Sequence, residues 1–273
     1  MTILILGATG TLGQEIIRQI DRKDVVCLSR CELKQKQLSA KFPWVKCVLG
    51  DIKDRDSLLP HIQDAEIIFH VAALKHIDTL EANPEEAIKT NLIGTMNVVS
   101  LAKQYDAHVV FSSTDKAQYP INVYGMCKGI SEKLVLAHGF CVFRWANVIG
   151  SRGSALHYFI DQIKNDRPIN LTDPKMTRFW IRIKDAVHFM LTTYGTQISQ
   201  EPFGRVRIPP MKAASVMRII QAIGELLGKA PEYVVTGLRP GEKIHEFIDE
   251  KTSSDMAEQY TDAELLELVR PFV

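Results

Sequence analysis

A run of apolar residues followed at once by a glycine-rich turn opens the chain. The run, Ile3 to Leu6, predicts a parallel β-strand buried on both faces. The turn, from Gly7 to Gly13, leads into a helical pattern that continues through Ile20. Glycine permits a tight turn, lets backbone N–H groups approach a pyrophosphate and lets a helix pack closely on a strand. A glycine turn without a ligand is the alternative, but the strand–turn–helix order favours a dinucleotide site.

Apolar runs alternate with helical patterns over the first half of the chain. The runs that predict further strands are 24–28, 45–49, 67–71, 108–111 and 140–145. Such alternation is typical of an α/β fold, here a Rossmann doubly wound parallel sheet with right-handed crossovers. A long helix is predicted from Pro84 to Gln104, and Asn91 inside it is expected to pin a neighbouring element. Ligands of such sheets bind beyond the carboxyl ends of the strands.

The residues after the second predicted strand indicate which dinucleotide binds. An acidic residue at this position would hold the ribose 2′-hydroxyl of NAD, but Ser29 and Arg30 stand here, with Lys34 just beyond. A hydroxyl, a guanidinium and an ammonium suit the 2′-phosphate of NADP. Glu32 is the competing interpretation, because its carboxylate could still serve a ribose. We therefore expect NADP as the cofactor.

Other residues at strand ends are assigned to the same cofactor. Asp51 is placed to reach the adenine, and the small residues Ala72 and Ala73 let the chain run close to the cofactor. Lys75 could reach a phosphate or the sugar. The complete set predicted to bind the cofactor is Gly7, Thr9, Gly10, Thr11, Leu12, Gly13, Ser29, Arg30, Lys34, Asp51, Ile52, Ala72, Ala73, Lys75, Ser113, Tyr124, Lys128 and Val148.

The stretch from Ser112 to Lys128 carries the predicted chemistry. Tyr124 and Lys128 are four residues apart, so a helix beginning near Tyr124 places both side chains on one face. A lysine ammonium beside a phenol favours the phenolate, which predicts a Tyr124 base with a pKa below about 10. Asp115 and Lys116 follow the fifth strand, where this fold performs chemistry, although a simple ion pair at the loop end is the alternative.

The pattern changes after Asn147, which predicts a smaller C-terminal lobe. We expect residues 1–150 to form the NADP-binding domain, with 181–210 returning to it, and 151–180 and 211–273 to form the substrate lobe. Arg152, Arg178 and Arg239 are candidates for a diphosphate and nucleoside, because arginine binds phosphate in a bidentate manner. For each of them taken singly, a surface salt bridge is the favoured alternative.

Composition limits the remaining function classes. The chain has 273 residues and a net charge of +1, which argues against nucleic acid or an anionic membrane as a main partner. No apolar stretch approaches the ~18 residues of a membrane span. The five cysteines lack zinc spacing and are expected to be reduced thiols of a cytoplasmic protein, and no metal site is expected.

The motifs GATGTLG, SRCELK, HVAALKH, SSTDKA, ANVIGSRGS, TDPKMTRFW and LRPGEKIHE together resemble the extended short-chain dehydrogenase/reductases. Within them, the chain is most similar to the inverting UDP-N-acetylglucosamine 4,6-dehydratases of bacterial surface-glycan pathways. The resemblance places Thr114, Asp115, Lys116, Tyr124 and Lys128 on catalytic positions. The positions that it assigns to a nucleotide-sugar substrate are Lys75, Asn147, Arg152, Gly153, Ser154, His157, Arg178, Arg239 and Glu242. The chain departs from the pattern at Trp145-Ala146, His157 and Cys31.

The resemblance implies a dehydration that passes through a transient ketone. Tyr124 would accept the O4 proton as hydride leaves C4, and Lys116 as a neutral base and Asp115 as an acid would then expel water across C5 and C6. Lysine at 116 implies inversion at C5, and relatives imply a homo-oligomer. A nucleotide-sugar 4-epimerase and a non-catalytic NADP-binding regulator are the alternatives.

Overall fold

The computed structural model describes residues 2–20, 24–197 and 205–273. In chain order, the strands are β1 (Ile3–Leu6), β2 (Val25–Ser29), β3 (Lys46–Leu49), β4 (Ile67–His70), β5 (His108–Thr114), β6 (Cys141–Trp145), β7 (Asn147–Val148), β8 (Ile169–Leu171), β9 (Thr177–Ile181), β10 (Val206–Arg207), β11 (Lys212–Ser215) and β12 (Tyr233–Val235). The α-helices are α1 (Thr11–Gln19), α2 (Glu32–Lys41), α3 (Arg55–Ile62), α4 (Ile77–Ala82), α5 (Pro84–Ala87), α6 (Gly94–Gln104), α7 (Val123–Ala137), α8 (Ala155–Lys164), α9 (Ile183–Gln197), α10 (Val216–Leu227) and α11 (Asp262–Val269).

A seven-stranded sheet in the order β10-β6-β5-β4-β1-β2-β3 forms the centre of the molecule. Every neighbouring pair in it is parallel. The strand order reverses between β1 and β4, so the chain leaves these two strands in opposite directions across the sheet. This confirms the predicted doubly wound fold and puts the ligand crevice beyond the carboxyl ends of β1 and β4.

Strand β1 shows why its sequence is apolar throughout. Ile3 and Ile5 face one core together with Ile16 and Ile17 of α1. Leu4 and Leu6 face the opposite core, which α3, α6 and α7 help to form. Because neighbouring side chains of a strand point to opposite faces, a strand covered by helices on both sides needs apolar residues at every position.

A second group of elements lies beyond the carboxyl edge of the main sheet. Strands β7, β9 and β11 form a small mixed sheet, and β8 pairs with β12. Helices α8, α10 and α11 share a separate core with β8 and β9. Strand β10 pairs with β6, and α9 packs on the core of the main sheet, while residues 198–204 lie outside the described residues. The division into two domains stays a proposal.

Two further features concern membrane spans and cysteines. No helix in the described ranges is both long and apolar enough to cross a membrane. The five cysteines are all free thiols.

The predicted single helix from Pro84 to Gln104 is interrupted. Residues Ile88–Ile93 form a π-helical segment between α5 and α6. Asn91 lies in this segment, accepts from the Leu74 N–H at 2.8 Å and donates to the Leu74 carbonyl at 2.9 Å. The sequence therefore predicted the pinning role of Asn91 correctly but not the wider turn. Such segments often occur at functional sites, and this one fixes the chain that leaves β4.

A buried ion pair joins β6, α7 and the C-terminal part of the chain. The Arg144 guanidinium donates to both carboxylate oxygens of Glu132, at 3.0 and 2.6 Å. It also donates to the Gln118 side chain at 3.0 Å and to the Ile248 carbonyl at 2.7 Å. Both charges are almost fully buried, so each depends on the other for its solvation.

Replacing Arg144 with Met is expected to lower the free energy of unfolding by about 3–5 kcal/mol, because the Glu132 carboxylate is left buried without its counter-ion. The control is Arg167→Met, which breaks an exposed pair with Asp161 and is expected to cost about 0–1 kcal/mol. Urea unfolding of both variants measures the difference. Equal losses would contradict the structural role given to Arg144.

Candidate active site

The glycine turn between β1 and α1 is built for a close approach of backbone. Gly7 has φ +87°, and a Cβ there would lie 2.8 Å from the Ala72 backbone at the end of β4. A Cβ on Gly13 would lie 2.6 Å from Cα of Ala8. Gly10 precedes α1 and provides no side-chain cap, so the helix presents backbone N–H groups and the positive end of its dipole at the crevice. The geometry suits a bound pyrophosphate.

Two cations reach this turn. The Arg152 guanidinium donates to the Thr9 carbonyl, and the Arg152 N–H donates to the Thr11 hydroxyl at 3.1 Å. The Lys75 ammonium donates to the Arg152 carbonyl at 2.7 Å. Burial, and then the charge of Arg152, hold the Lys75 pKa below its ordinary value. Arg152, expected at the sugar nucleotide, therefore lies at the dinucleotide turn.

The ends of β2 and β3 lie side by side, as the sequence predicts. The Arg30 guanidinium is 3.6 Å from the Asp51 carboxylate, and both side chains are partly exposed. Gln35 of α2, which the sequence analysis did not assign, donates to the carbonyl and hydroxyl of Ser29 and to the Val48 carbonyl. Gln35 thus fixes the backbone at the point where the cofactor ribose is expected.

Helix α7 lies directly against the short 3₁₀ turn Asp115–Ala117 that follows β5. A Cβ on Gly125 would lie 2.1 Å from the Lys116 carbonyl, and a Cβ on Gly129 would lie 3.2 Å from the Ala117 carbonyl. Asn122 caps the helix by accepting from the Gly125 N–H at 2.7 Å. These features bring Tyr124, in the first turn of α7, next to the end of β5.

The phenol of Tyr124 lies beside Thr114 and Lys116. Burial raises the Tyr124 pKa, while the charge of Lys116 and a hydrogen bond with Thr114 act in the opposite direction. The prediction of a lowered Tyr124 pKa is therefore wrong for the protein alone, because desolvation outweighs the cation. The cation that acts on the phenol is Lys116, and the expected partner was Lys128.

Lys128 is held one turn further along α7. Its ammonium donates to the Ser112 carbonyl at 2.5 Å and lies 3.8 Å from the centre of the Phe111 ring. Burial lowers the Lys128 pKa to about 7, although Glu132 favours the charged form. Trp145, one of the departures from the family pattern, donates to the Ser112 hydroxyl at 2.7 Å. It therefore holds the residue whose carbonyl binds Lys128.

Asp115 and Lys116 form a buried pair. The Asp115 side chain is 0% exposed, and its Oδ1 atom accepts from the Lys116 ammonium at 3.0 Å and from the Thr114 hydroxyl at 3.0 Å. Asp115 Oδ2 and the hydroxyl of Ser113 are buried and have no hydrogen-bond partner among the residues that the structure describes. Unpartnered buried polar atoms are costly, which indicates that a ligand contacts them.

Lys116 is charged in the protein alone. Although burial disfavours the ammonium, Asp115 and a second carboxylate, Glu246, outweigh it and raise the Lys116 pKa. The neutral Lys116 expected under a bound sugar stays a prediction. A neutral Lys116 requires that its proton first move to a neighbour.

Glu246 is the residue of this site that the sequence analysis missed. Its carboxylate is 3.5 Å from the Lys116 ammonium and 3.4 Å from that of Lys243, and the residue is 3% exposed. The charges of Lys116, Arg178 and Lys243 together outweigh burial and lower the Glu246 pKa. The only signal in the sequence was its position at the end of the LRPGEKIHE motif.

The sequence of the chain matches a known protein family. The family model described as "Polysaccharide biosynthesis protein" matches residues 3–267. The chain belongs to this family. The match and the fold together confirm the resemblance to the extended short-chain dehydrogenase/reductases.

Curated relatives of this family member carry different names, among them a dehydratase and an epimerase. The UDP-N-acetylglucosamine 4,6-dehydratase (inverting) of Campylobacter jejuni is 32% identical over 275 residues, which are 94% of this chain and 80% of that protein. The UDP-glucose 4-epimerase of Rickettsia canadensis is 34% identical over 275 residues, 94% of this chain and 79% of that protein. Sequence identity alone therefore does not separate the two activities.

Solved structures agree on the fold. Pen from Bacillus thuringiensis is 29% identical with a TM-score of 0.90, and the match covers 100% of this chain and 98% of that one. DesIV of Streptomyces venezuelae, a dTDP-glucose 4,6-dehydratase solved with NAD and TYD, is 18% identical with a TM-score of 0.83, over 99% of this chain and 96% of that one.

The residues assigned to the substrate are distributed over two places in this family member. Arg178 of β9 is buried, and its guanidinium donates to the carbonyls of Thr177, Lys243 and Ile244. Arg239 is exposed and pairs with Asp78 at 2.9 Å and with Glu242 at 2.5 Å. Arg178 thus fixes the C-terminal segment, and its contact with substrate stays a prediction.

The remaining predicted residues surround the same crevice. Asn147 and Val148 form β7, Ala73 is exposed after β4, and Ile52 is buried under Gly94. Gly153 approaches His76, since a Cβ there would lie 2.9 Å from the ring. The Ser154 hydroxyl is buried without a partner, and His157 contacts the Gly150 carbonyl at 3.2 Å. Lys34 lies exposed on α2.

Replacing Gly125 with Ala is expected to destabilise the protein. Ala is the better helix former by about 1 kcal/mol, but its methyl group would overlap the Lys116 carbonyl, and overpacking of this kind costs about 1–3 kcal/mol or more. Gly195→Ala in α9 is the control, because a Cβ there meets nothing within 4 Å, and it is expected to raise the melting temperature. A rise in both variants would contradict the close approach of α7.

Proposed function

We propose that the protein is an NADP-dependent nucleotide-sugar 4,6-dehydratase that acts on UDP-N-acetylglucosamine and inverts C5. The observation that carries the proposal is the buried Asp115–Lys116 pair beside the Tyr124 phenol. A 4-epimerase needs only the tyrosine, the lysine and the cofactor, whereas removal of a hydroxyl from C6 also needs an acid and a base. A relative that shares 32% identity carries the name of this activity.

The residues of the crevice fit a nicotinamide dinucleotide. The turn from Gly7 to Gly13 leaves room for a pyrophosphate at the start of α1, and Arg152 and Lys75 supply positive charge. The hydroxyl of Ser113, buried without a partner, points to a ligand at the end of β5. When bound, the nicotinamide supplies reversible hydride transfer, taking hydride from C4 and returning it to C6.

The choice of NADP is supported by the charge at the end of β2. Arg30 and Lys34 are both exposed there, next to Ser29. Glu32, the competing ligand for an NAD ribose, is exposed and pairs with Lys36 at 3.1 Å. The Asp51 carboxylate at the end of β3 lies 3.6 Å from the Arg30 guanidinium, and the guanidinium and ammonium beside Ser29 favour the 2′-phosphate.

Tyr124, Thr114 and Lys128 serve the oxidation of C4. Tyr124 accepts the O4 proton, and the Lys116 charge and the Thr114 hydroxyl favour the phenolate that does so. Lys128, whose ammonium donates to the Ser112 carbonyl, is proposed to bind the cofactor ribose. The proton on Tyr124 is proposed to return to Asp115 at the end of the cycle, because Thr114, which donates to Asp115 at 3.0 Å, lies beside the phenol.

Asp115 and Lys116 serve the loss of water. A proton passed from Lys116 to Asp115 along their 3.0 Å bond yields a neutral amine and a carboxylic acid. The amine removes the C5 proton, which the C4 ketone has made acidic, and the acid protonates O6 as it leaves. A proton then returns to C5 and the stored hydride to C6.

The substrate and the stereochemistry rest on the resemblance. Related dehydratases that retain C5 carry Asp-Glu where this chain has Asp115-Lys116, and the inverting relative acts on UDP-N-acetylglucosamine by its name. Arg239 and Glu242 are proposed for the nucleotide sugar. A homo-oligomer and a cytoplasmic location stay predictions.

Lys116→Ala is expected to abolish dehydration of UDP-N-acetylglucosamine, because no base remains at C5. The product of the wild type, followed by mass spectrometry, is expected to be lighter than the substrate by one water. Lys133→Ala, a change on an exposed part of α7, is the matched control and should retain full turnover. A wild-type product of unchanged mass, with the C4 epimer in its NMR spectrum, would establish the 4-epimerase instead.

Arg30→Ala is expected to weaken NADP binding about 10- to 100-fold, the loss expected when a charge-assisted contact to phosphate is removed, and to leave NAD binding almost unchanged. Calorimetric titration of both cofactors measures the difference. Arg55→Ala, on α3, is the control. Tighter binding of NAD than of NADP by the wild type would contradict the cofactor assignment.

A further inference from the structure

Glu246 lies in a segment that is held in place from several directions. Its N–H donates to the Ser254 hydroxyl at 3.0 Å, and the Ser254 N–H donates to its carbonyl at 2.8 Å. Arg178 donates to the carbonyls of Lys243 and Ile244, and the Asn122 side chain donates to the Gly241 carbonyl at 2.8 Å. The carboxylate is therefore placed by backbone contacts.

Burial of the Glu246 carboxylate lowers the stability of the protein unless neighbouring groups stabilise its charge. Taking a carboxylate out of water costs several kcal/mol. Within the described part of the chain, Glu246 Oε2 accepts no hydrogen bond and lies 3.4 Å from the Lys243 ammonium. The Lys243 ammonium also donates to the Gln118 carbonyl at 2.8 Å, so it has a hydrogen-bond partner besides Glu246. Stabilising Lys243 is therefore not a sufficient reason for a buried charge at Glu246.

Besides Lys243, the ion-pair partner of Glu246 is Lys116 of the acid–base pair. Lys116 faces Asp115 on its own turn, Tyr124 from α7, Arg178 from β9 and Glu246 from the C-terminal segment. The positive charge of Arg178 disfavours an ammonium at 116, and the carboxylate of Glu246 offsets it. Lys243, the other cation of this segment, contacts Glu246.

We propose that Glu246 is a positioning residue for the acid–base pair: its carboxylate shares the Lys116 ammonium with Asp115 and keeps one proton on the pair. The part of this inference that rests on the proposed function is the use of that proton in the dehydration; the effect of Glu246 on Lys116 does not depend on it. The pair is active while it holds one proton, either on Lys116 or on Asp115. Loss of the proton at high pH leaves Asp115 unable to protonate O6.

The sign of the expected change follows from the charge. Glu246→Gln removes a negative charge 3.5 Å from the Lys116 ammonium. The ammonium is less favoured, so the Lys116 pKa falls by about 1–3 units, the range for a neighbouring opposite charge. The alkaline limb of the rate profile moves to lower pH by the same amount.

The test measures Lys116 directly by NMR titration of protein labelled with ¹³Cε-lysine, with the signal assigned by its loss in Lys116→Arg. The variants compared are the wild type, Glu246→Gln, Glu246→Asp and Glu258→Gln. The control, Glu258, pairs with Lys212 at 2.8 Å on the exposed surface, and its loss should leave Lys116 unchanged. Glu246→Asp keeps the charge and should titrate closer to the wild type than Glu246→Gln does.

The outcomes separate this proposal from the proposed function. A lowered Lys116 pKa in Glu246→Gln, with the alkaline limb of turnover displaced in parallel, supports it. The NMR titration uses no substrate, so it tests Glu246 even if UDP-N-acetylglucosamine is not turned over. If Glu246→Gln does not fold, the double variant Glu246→Gln/Lys243→Gln removes both charges and is expected to lower the Lys116 pKa as well. An unchanged Lys116 titration in a folded variant overturns the proposal.

Discussion

The Lys116 ammonium lies between two buried carboxylates, and the rest of the site is arranged around that contact. Asp115 is 3.0 Å away on the same turn, and Glu246 is 3.5 Å away on a segment from the far end of the chain. In a low-dielectric setting, each of these charges is stable only because the others are present. The same proximity lets a proton move within the group without any change in its net charge.

The fold brings these charges together by two close approaches of backbone. Gly125 lets α7 rest on the Asp115–Ala117 turn, which brings the Tyr124 phenol beside the Thr114 hydroxyl and the Asp115–Lys116 pair. Gly7 lets the dinucleotide turn rest against the end of β4. Both approaches lie at the carboxyl edge of the sheet, where the strand order reverses. The glycine turn and the Asp115–Lys116 pair therefore lie at the edge of the sheet where ligands of this fold bind.

Local features of this arrangement could be predicted from the sequence, and distant contacts could not. The strand Ile3–Leu6, its glycine turn and the pinning by Asn91 depend on neighbouring residues or on residue types with few other uses. The raised pKa of Lys116 in the protein alone could not be predicted, because it depends on Glu246, whose charge reaches the site only through the tertiary fold. The Tyr124 pKa was predicted wrongly for a related reason, since burial is a property of the packed site.

Transfer of hydrogen within the substrate tests the central claim, that one acid–base pair and one tyrosine act on neighbouring carbons. UDP-N-acetylglucosamine labelled with deuterium at C4 should be incubated with the enzyme and NADP in H₂O, and unlabelled substrate in D₂O, with the products examined by NMR. The account predicts that the C4 label appears at C6 in H₂O, and that one deuteron is incorporated at an inverted C5 in D₂O. A product that retains its C6 hydroxyl and carries no deuterium at C5 would contradict it.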